Sequence, residues 1–557
     1  MDSIDVITHP IVDHVKLQCN GSVNEVLEGT LCISAFHLIF STRRQNMKDI
    51  TVLHTGIETV DKKSAPLLCL KLKDFRVLNF EIPDAEVCIS VADSLIVLSQ
   101  PERIDKLHPF SFYVPVEDDI HQHKYEPETV QEMFTRWGCD NEAMRITDVN
   151  KGYKVCESYP EQLIVPKAIG DEIITKSSLF RHHKRFPIVC YYHQNMKTSL
   201  LRSGQPKCGT SQNRCSEDIQ LLNSFLTNRG RGKVLDMRSS AVLQQHISKG
   251  GGTEPPMHYP QWKLMSVDVP PVPSLLQSLQ KLIDACQDPS ISSGGGWLNK
   301  LEASGWLSHV TSLLLVVSTI VHEISNEGNS VLVHGASGRD LTLLVTSLVQ
   351  VLLDPHCRTT TGFIGLIQRE WLDAGYQFSL RHGHTILSTK KDQAPVFLLF
   401  LDCVYQVTRQ YPCSFQFNQL FLHNLFVHSY YSSYGTFLYD TPRERRKLKL
   451  DEKTQSLWHY LSNDKVIHTM LNPLYTYNDS ILILSLVPQN IVLWNHCYLP
   501  KVDVLEANNA ISSTISAMET LMGKNENLLG KVEALQKELK SLQAVAMQKL
   551  QTKSTVF

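Results

Sequence analysis

The segment Val331-Leu-Val-His-Gly-Ala-Ser-Gly-Arg-Asp-Leu-Thr342 combines a short apolar run, a glycine-containing turn and the start of a helical pattern. Residues 330–333 have the composition of a buried strand, and Gly335 and Gly338 indicate a tight turn after it. Apolar residues then recur at helical spacing between 341 and 352. The amides of such a turn and the dipole of the following helix both favour an anion, so we predict a phosphate-binding turn. A strand-to-helix turn without a ligand fits the same pattern.

The residues of this segment resemble the phosphatase loop of the myotubularin family, whose pattern is Val-His-Cys-Ser-Asp-Gly-Trp-Asp-Arg-Thr. After the valine at position 333, the residue of the family pattern is also present at His334, Gly338, Asp340 and Thr342. Ala336 stands where the family has serine, and Arg339 stands where it has tryptophan. The resemblance implies an α/β domain with a central sheet, of the kind found in cysteine-dependent phosphatases.

The three side chains that the family uses for catalysis are absent from this loop. Gly335 replaces the nucleophilic cysteine, Ser337 replaces the aspartic acid that protonates the leaving group, and Leu341 replaces the phosphate-binding arginine. Glycine supplies no thiolate, serine is too weak an acid, and leucine has no donor for phosphate oxygens. Because such groups act as one unit, their loss typically lowers the rate about a million-fold. We therefore predict a pseudophosphatase with no catalytic residue and no cofactor.

Two alternatives remain for chemistry at or near this loop. Arg339 keeps a guanidinium there, which would bind a phosphate without cleaving it; a solvated surface arginine is the competing interpretation. An enzyme with a relocated nucleophile, such as Cys357 or Cys403, is disfavoured because neither cysteine lies in the loop.

Composition limits the other classes of function. The chain has 557 residues, 42% hydrophobic and 20% charged, with a formal net charge of -2, so no overall field points to nucleic acid. Its 14 cysteines include no Cys-x-x-Cys pair, which is typical of a reduced cytosolic protein without a zinc site. The apolar run 312–321 is shorter than the ~20 residues that cross a bilayer, so we expect any membrane attachment to be peripheral.

The chain divides into four predicted regions. Residues 1–100 alternate in the manner of short strands, at 29–34, 36–41, 50–53, 67–72 and 77–82, and end in a helix at 85–98. This pattern resembles the PH-GRAM domain that opens myotubularins. Residues 101–125, with three prolines, are predicted to be a linker, and 126–500 the inactive phosphatase-like domain. Within 126–500, a basic run at 441–452 is interpreted as a solvated face, with a membrane-facing role as the alternative.

Residues 504–551 are predicted to form a coiled coil, because apolar residues recur in two heptad registers. The predicted seam consists of Met518, Leu521, Asn525, Leu528, Val532, Leu535, Leu539 and Leu542. A helix of this kind buries its seam only against a partner helix. The alternative is a helix that folds back on its own domain.

The family resemblance implies a regulatory function. Inactive myotubularins heterodimerise with active 3-phosphatases of phosphatidylinositol 3-phosphate and phosphatidylinositol 3,5-bisphosphate, and they stabilise or stimulate these enzymes. The expected partners are active phosphatases of the six, seven and eight subgroup, with a homodimer as the other assembly that the seam allows. We expect a cytoplasmic protein at endosomal, perinuclear or endoplasmic-reticulum membranes. The rival hypothesis is a stand-alone phosphoinositide sensor.

Overall fold

A computed structural model describes residues 6–19, 25–42, 49–64, 66–111, 126–226, 230–265, 267, 269–288 and 295–500, together with six residues between 530 and 538. The predicted coiled coil lies outside these residues apart from those six. Leu535 is the one predicted seam residue among them; it is helical and 63% exposed. The heterodimer seam therefore stays a prediction.

The N-terminal domain is a seven-stranded antiparallel sheet in the order β4-β3-β2-β1-β7-β6-β5, closed by one helix. Its elements are β1 (Ile11–Cys19), β2 (Glu25–Ile33), β3 (His37–Thr42), β4 (Ile50–Leu53), β5 (Ile57–Ser64), β6 (Leu67–Leu72), β7 (Val77–Glu81) and α1 (Ala85–Ser99). The side chain of Asp84 caps α1 by accepting hydrogen bonds from the amides of Glu86 and Val87. The predicted β-rich domain and its closing helix are confirmed.

The sequence patterns do not predict β1 and β5, and both strands are irregular. The register of β1 shifts between Val12 and Val15, where His14 has a positive φ of 57°. The register of β5 shifts at two places, and this strand contains Glu58, Asp61 and two lysines. Because bulges interrupt the period-2 alternation, alternation in the sequence is a weak signal for such strands.

The second domain contains the remaining strands and helices. The strands are β8 (Met144–Thr147), β9 (Leu163–Pro166), β10 (Ile188–His193), β11 (Thr198–Ser203), β12 (Gly232–Asp236), β13 (Trp262–Met265) and β14 (Ser330–His334). The helices up to the loop are α2 (His108–Ser111), α3 (Val130–Arg136), α4 (Asp171–Phe180), α5 (Ser216–Asn223), α6 (Ser240–Ser248), α7 (Val272–Cys286), α8 (Gly295–Ser304) and α9 (Trp306–Ser325). Those after it are α10 (Leu341–Leu353), α11 (Thr360–Ile367), α12 (Phe378–Arg381), α13 (Val396–Gln410), α14 (Gln419–Tyr430), α15 (Pro442–Lys447), α16 (Leu450–Lys453), α17 (Leu457–Leu461), α18 (Asp464–Ile467) and α19 (Asn495–Tyr498).

The central sheet of this domain has the order β10-β11-β14-β12-β13. Its last four strands are parallel, and β10 pairs antiparallel with β11 at the edge. All five residues of β14 are buried, as are all residues of α10. The predicted α/β domain is confirmed, and the segment 335–340 leaves the carboxyl end of the central strand, where α/β sheets bind ligands.

Helix α9 is the one helix in the described part of the chain that is long and apolar enough to cross a membrane by length and composition. Nine of its 20 residues are buried, at a spacing of three or four, and they belong to the main hydrophobic core. The helix is therefore the core helix of this domain.

The two domains are joined by the hairpin between β6 and β7. Phe75 at its tip stacks on Phe426 and Tyr498, with ring centroids 5.2 and 5.8 Å away. Beside it, the Tyr431 hydroxyl donates to Asp74 at 2.6 Å. The described part of the predicted linker is also packed. Its Leu107, directly before α2, is buried against apolar residues of the second domain.

Candidate functional site

The turn between β14 and α10 depends on a glycine and on two arginines from elsewhere in the chain. Gly338 has a φ of +67°, and a Cβ there would lie 2.0 Å from the carbonyl oxygen of Ser203. Arg185 donates from Nη2 to the carbonyl of Gly338 at 2.8 Å. Arg381 binds Asp340 through two hydrogen bonds of 2.9 and 2.7 Å. The turn is thus held from both sides by guanidinium groups.

A buried network of charges lies beneath the turn. His334 Nε2 and Glu254 Oε2 are 2.9 Å apart, and Arg181 donates to the other oxygen of Glu254 at 2.6 Å. Arg181 also makes a double hydrogen bond to Asp218, which accepts from Tyr259. Burial alone would raise the pKa of Glu254, but the charges of His334 and Arg181 hold this pKa well below its usual range. The network fixes His334 at the start of the turn.

Gly335 has space for the side chain that the family pattern places there. A Cβ at this position would be 3.7 Å from Thr342 Oγ1 and 3.8 Å from Met237 Cβ, which are ordinary van der Waals distances. The Thr342 hydroxyl is buried and has no hydrogen-bond partner in the described structure. A Cβ at position 335 therefore fits beside the Thr342 hydroxyl, and the glycine supplies no side chain there.

The other two catalytic positions have different surroundings. Ser337 is half-buried in the turn. Leu341 is 3% exposed, opens α10 and belongs to the main hydrophobic core. A residue in this environment contributes apolar packing and offers nothing to a phosphate.

Arg339 is half-buried, so it is not the fully solvated arginine of the competing interpretation. Burial lowers the pKa of its guanidinium, and its Nε has no hydrogen-bond partner among the described residues. The charge of Arg339 contributes to lowered pKa values of two nearby histidines. Burial and the positive charges of His182 and Arg339 lower the pKa of His183 to about 4, and burial and nearby cations also lower that of His182. An anion placed here would meet the guanidinium of Arg339, whose Nε has no hydrogen-bond partner among the described residues, and two histidines that are neutral at pH 7.

The alternative nucleophiles are in the core. Cys357 and Cys403 are fully buried, and burial raises the pKa of both thiols above the usual value. A neutral thiol in an apolar core is a poor nucleophile. Among the described residues, no group of three or more His, Cys, Asp or Glu side chains is placed to bind a metal ion.

Sequence patterns did not identify Arg185, Arg381, Glu254 and Arg181 as residues that shape the site. Arg185 and Arg381 lie 153 and 41 positions from the loop residues that they contact. Within the network, Arg181 lies 73 positions from Glu254 and 37 positions from Asp218. No local pattern marks such contacts. The sequence offers one signal, because the segment Arg381-His-Gly-His384 resembles the corresponding segment of the myotubularin family.

Comparison with known proteins gives the same assignment for both domains. Residues 107–446 match the model of the Myotubularin-like phosphatase domain, and residues 11–99 match the MTMR6-9 GRAM domain. The chain is 41% identical to human Myotubularin-related protein 9 over 506 residues, which cover 90% of this chain and 91% of the relative. It is 34% identical to Myotubularin-related protein 9 of Caenorhabditis elegans, over 84% of this chain and 86% of the relative.

A relative with a named activity is also similar. The chain is 35% identical to human Phosphatidylinositol-3-phosphate phosphatase MTMR7 over 485 residues, which cover 85% of this chain and 72% of the relative. The agreement extends over both domains of the described structure. This chain belongs to the myotubularin family, with an N-terminal GRAM domain and a myotubularin-like phosphatase domain.

Proposed function

We propose that this chain is a catalytically inactive myotubularin that serves as the regulatory subunit of an active phosphoinositide 3-phosphatase. The observation that supports the proposal is the loop itself. The glycine turn, the two arginine contacts and the buried network are present, whereas positions 335, 337 and 341 hold glycine, serine and leucine. A folded pocket without thiolate, acid or guanidinium at these positions has no route to a phosphoenzyme.

The proposed partner is an active member of the same family, of the six, seven and eight subgroup. The relative named as a phosphatidylinositol-3-phosphate phosphatase suggests phosphatidylinositol 3-phosphate as the partner's substrate, and the family resemblance adds phosphatidylinositol 3,5-bisphosphate. The predicted heptad seam supplies the contact, and the exposure of Leu535 agrees with a seam that its own domains leave uncovered.

The regulatory effect follows from binding alone. A subunit that binds the folded partner and not its unfolded state stabilises it by mass action. A dimer also presents two GRAM domains to one membrane, which raises the apparent affinity without new contacts. We therefore place the protein in the cytoplasm, peripherally attached to endosomal, perinuclear or endoplasmic-reticulum membranes.

Co-expression with an active relative tests this function. We expect the pair to co-purify, the purified chain alone to release no phosphate from phosphatidylinositol 3-phosphate, and the pair to exceed the partner alone in activity or stability. Leu535→Asp with Leu542→Asp should abolish co-purification, because two charges at core positions of the seam prevent its burial. The matched control is Ala534→Asp with Ser541→Asp, which adds the same charges outside the seam.

Two results would contradict the proposal. One is phosphate release by the chain alone that disappears when the loop is mutated. The other is co-purification that survives the seam double variant as well as its control.

A second candidate function, a stand-alone phosphoinositide sensor, is favoured by one observation, the unpartnered Nε of the half-buried Arg339 in the described structure. If the pocket binds a headgroup, Arg339→Ala should weaken binding of a soluble phosphatidylinositol 3-phosphate by about tenfold, the usual size of a lost charge-assisted hydrogen bond. Arg409→Ala, at an exposed position of α13, is the control. Equal affinities of the wild type and Arg339→Ala would exclude the sensor.

A further inference from the structure

Two neighbouring apolar side chains project from the segment between α12 and α13. Ile386 is 55% exposed and Leu387 is 78% exposed. The segment is held in place by hydrogen bonds: the amide of Ile386 donates to the carbonyl of Pro101, and the amide of Ser388 donates to that of Thr385, both at 3.1 Å. The exposure therefore belongs to a structured turn, and adjacent exposed aliphatic side chains of this size indicate a contact surface.

Lysines surround this turn. Lys390 and the exposed Lys391 follow it directly, and Lys390 contacts Glu58 of the GRAM domain. Lys390 also lines a cavity of about 300 Å³ between the domains, together with Lys71 and Lys73. Glu58 is the single acidic residue among the described residues that line this cavity. Lys390 pairs with Glu58 and Asp392 accepts from Thr389, so Lys391 is the cation of this segment that has no carboxylate partner among the described residues.

The basic run at 441–452, the membrane-facing alternative from the sequence, is differently placed. Arg443 pairs with Glu157, and Arg446 pairs with Glu161. Arg445 donates its guanidinium hydrogens to the backbone carbonyls of three residues, Leu372, Leu438 and Tyr439. Most of its cations are therefore neutralised or used within the domain, and no exposed apolar pair adjoins them among the described residues.

We propose that residues 385–391 form a membrane-docking turn, which inserts Ile386 and Leu387 into the interfacial region of an anionic bilayer. Lys390 and Lys391 then lie at the level of the lipid phosphates. Apolar insertion and lysine attraction are the two contributions that peripheral membrane proteins combine. The inference rests on the membrane association proposed above, but it does not depend on heterodimerisation.

This docking would place the membrane on the side of the degenerate loop. The hydroxyl of Ser388 donates to the carbonyl of Leu380, so the turn packs against α12. Arg381, at the end of α12, is bound to Asp340 of the loop. A lipid headgroup at the membrane surface would therefore lie close to the loop that contains Arg339.

Vesicle sedimentation of the full chain tests the proposal, with phosphatidylcholine vesicles, the same vesicles containing phosphatidylserine, and vesicles of matched charge containing phosphatidylinositol 3-phosphate. Ile386→Asp with Leu387→Asp should weaken binding to both anionic vesicles by at least about tenfold, from the loss of apolar insertion. The control is Ile483→Asp with Val487→Asp, which alters two other exposed apolar residues. Equal binding to the two anionic vesicles indicates surface charge, and a preference for the phosphoinositide indicates its headgroup; both support docking through this turn.

A charge test and an insertion test make the result specific. Lys390→Glu with Lys391→Glu should weaken binding to phosphatidylserine vesicles by about tenfold or more, and Lys263→Glu with Lys465→Glu should not. Six of the seven tryptophans are buried, so Leu387→Trp adds an exposed reporter, whose emission should shift to the blue on anionic vesicles.

Three outcomes would overturn the proposal. They are wild-type protein that does not bind anionic vesicles, an aspartate double variant that binds like its control, and a tryptophan emission of the Leu387→Trp variant that vesicles leave unchanged. Loss of a protein partner by the aspartate variant, with vesicle binding intact, would assign the turn to protein contact instead. Because these measurements use the chain alone, a failure of heterodimerisation cannot be mistaken for a failure of docking.

Discussion

The layer beneath the turn between β14 and α10 and the turn itself differ in how their polar groups are paired. In the lower layer, Arg181, Asp218, Glu254 and His334 are all buried and all hydrogen-bonded to one another or to neighbours. In the turn and at the start of α10, by contrast, the buried hydroxyl of Thr342 and the buried Nε of Arg339 have no partner among the described residues.

This difference indicates that the two layers contribute to different properties of the protein. Removal of one member of the buried network should destabilise the fold, because an unpaired charge in the core is costly. The catalytic side chains of the family contribute to chemistry, so their replacement by glycine, serine and leucine leaves the fold intact. A loop of this family can therefore keep its shape when its catalytic side chains are replaced.

The largest effect is expected when the buried network is broken. Glu254→Ala leaves Arg181 and His334 without their carboxylate and should lower the free energy of unfolding by about 3–5 kcal/mol, measured by urea denaturation. Glu142→Ala removes an exposed ion pair with Lys167 and should cost at most about 1 kcal/mol. Similar losses in the two variants would show that the network is not a stability element.

The next largest effect is expected from acid, which should lower the folding stability. Burial, the first of the causes in each case, lowers the pKa of His54 and of His384 from 6.5 to about 4. As the pH falls, these histidines take up a proton in the unfolded chain before they do so in the folded chain. The stability that is present above pH 6.5 is therefore lost as the pH falls towards about 4, by about 3 kcal/mol for each histidine. Denaturation at a series of pH values measures this loss.

The matched variants for the acid effect are two histidine substitutions. His384→Gln should lose part of the pH dependence, and His14→Gln, at an exposed position, should retain all of it. A pH dependence identical in His384→Gln and the wild type would contradict the assignment.

Two glycines of the turn should respond in opposite ways. Gly338→Ala forces a side chain into left-handed backbone and against the carbonyl of Ser203, which should cost about 2–3 kcal/mol. Gly335→Ala meets only ordinary contacts and should leave stability unchanged or raise it by up to about 1 kcal/mol. Thermal denaturation of the two variants measures both, and an equal loss would show that position 335 has no space for a side chain.

The smallest effect distinguishes a paired hydroxyl from an unpaired one. Thr198 donates to the carbonyl of Ile324 at 3.1 Å, so Thr198→Val should cost about 1 kcal/mol. Thr342→Val removes a buried hydroxyl that has no partner among the described residues and should be neutral or slightly stabilising. A cost in Thr342→Val as large as that in Thr198→Val would show that this hydroxyl has a partner in solution.

The strand, turn and helix of the site could be predicted from the sequence because their signals are local. Glycine marks the turn, and the apolar spacing before and after it distinguishes the strand from the helix. The closing helix of the GRAM domain was predicted for the same reason. Strands β1 and β5 were missed because bulges and charged residues disturb their alternation.

The surroundings of the site could not be predicted from local patterns. The partner of His334 is Glu254, 80 positions earlier, and the guanidinium that binds Asp340 comes from Arg381, 41 positions later. These residues come together only when the chain has folded. The departures at positions 335, 337 and 341 are predicted from the sequence alone, since the family pattern assigns a residue type to each position of the turn, and catalytic inactivity stays a prediction.

The aromatic stack at the tip of the β6–β7 hairpin has a consequence for how the molecule melts. Phe75 shares its neighbours with the core of the second domain, so the GRAM domain cannot unfold without exposing Phe426 and Tyr498. The two domains should therefore unfold together. Calorimetry of the intact chain should record a single endotherm for both domains.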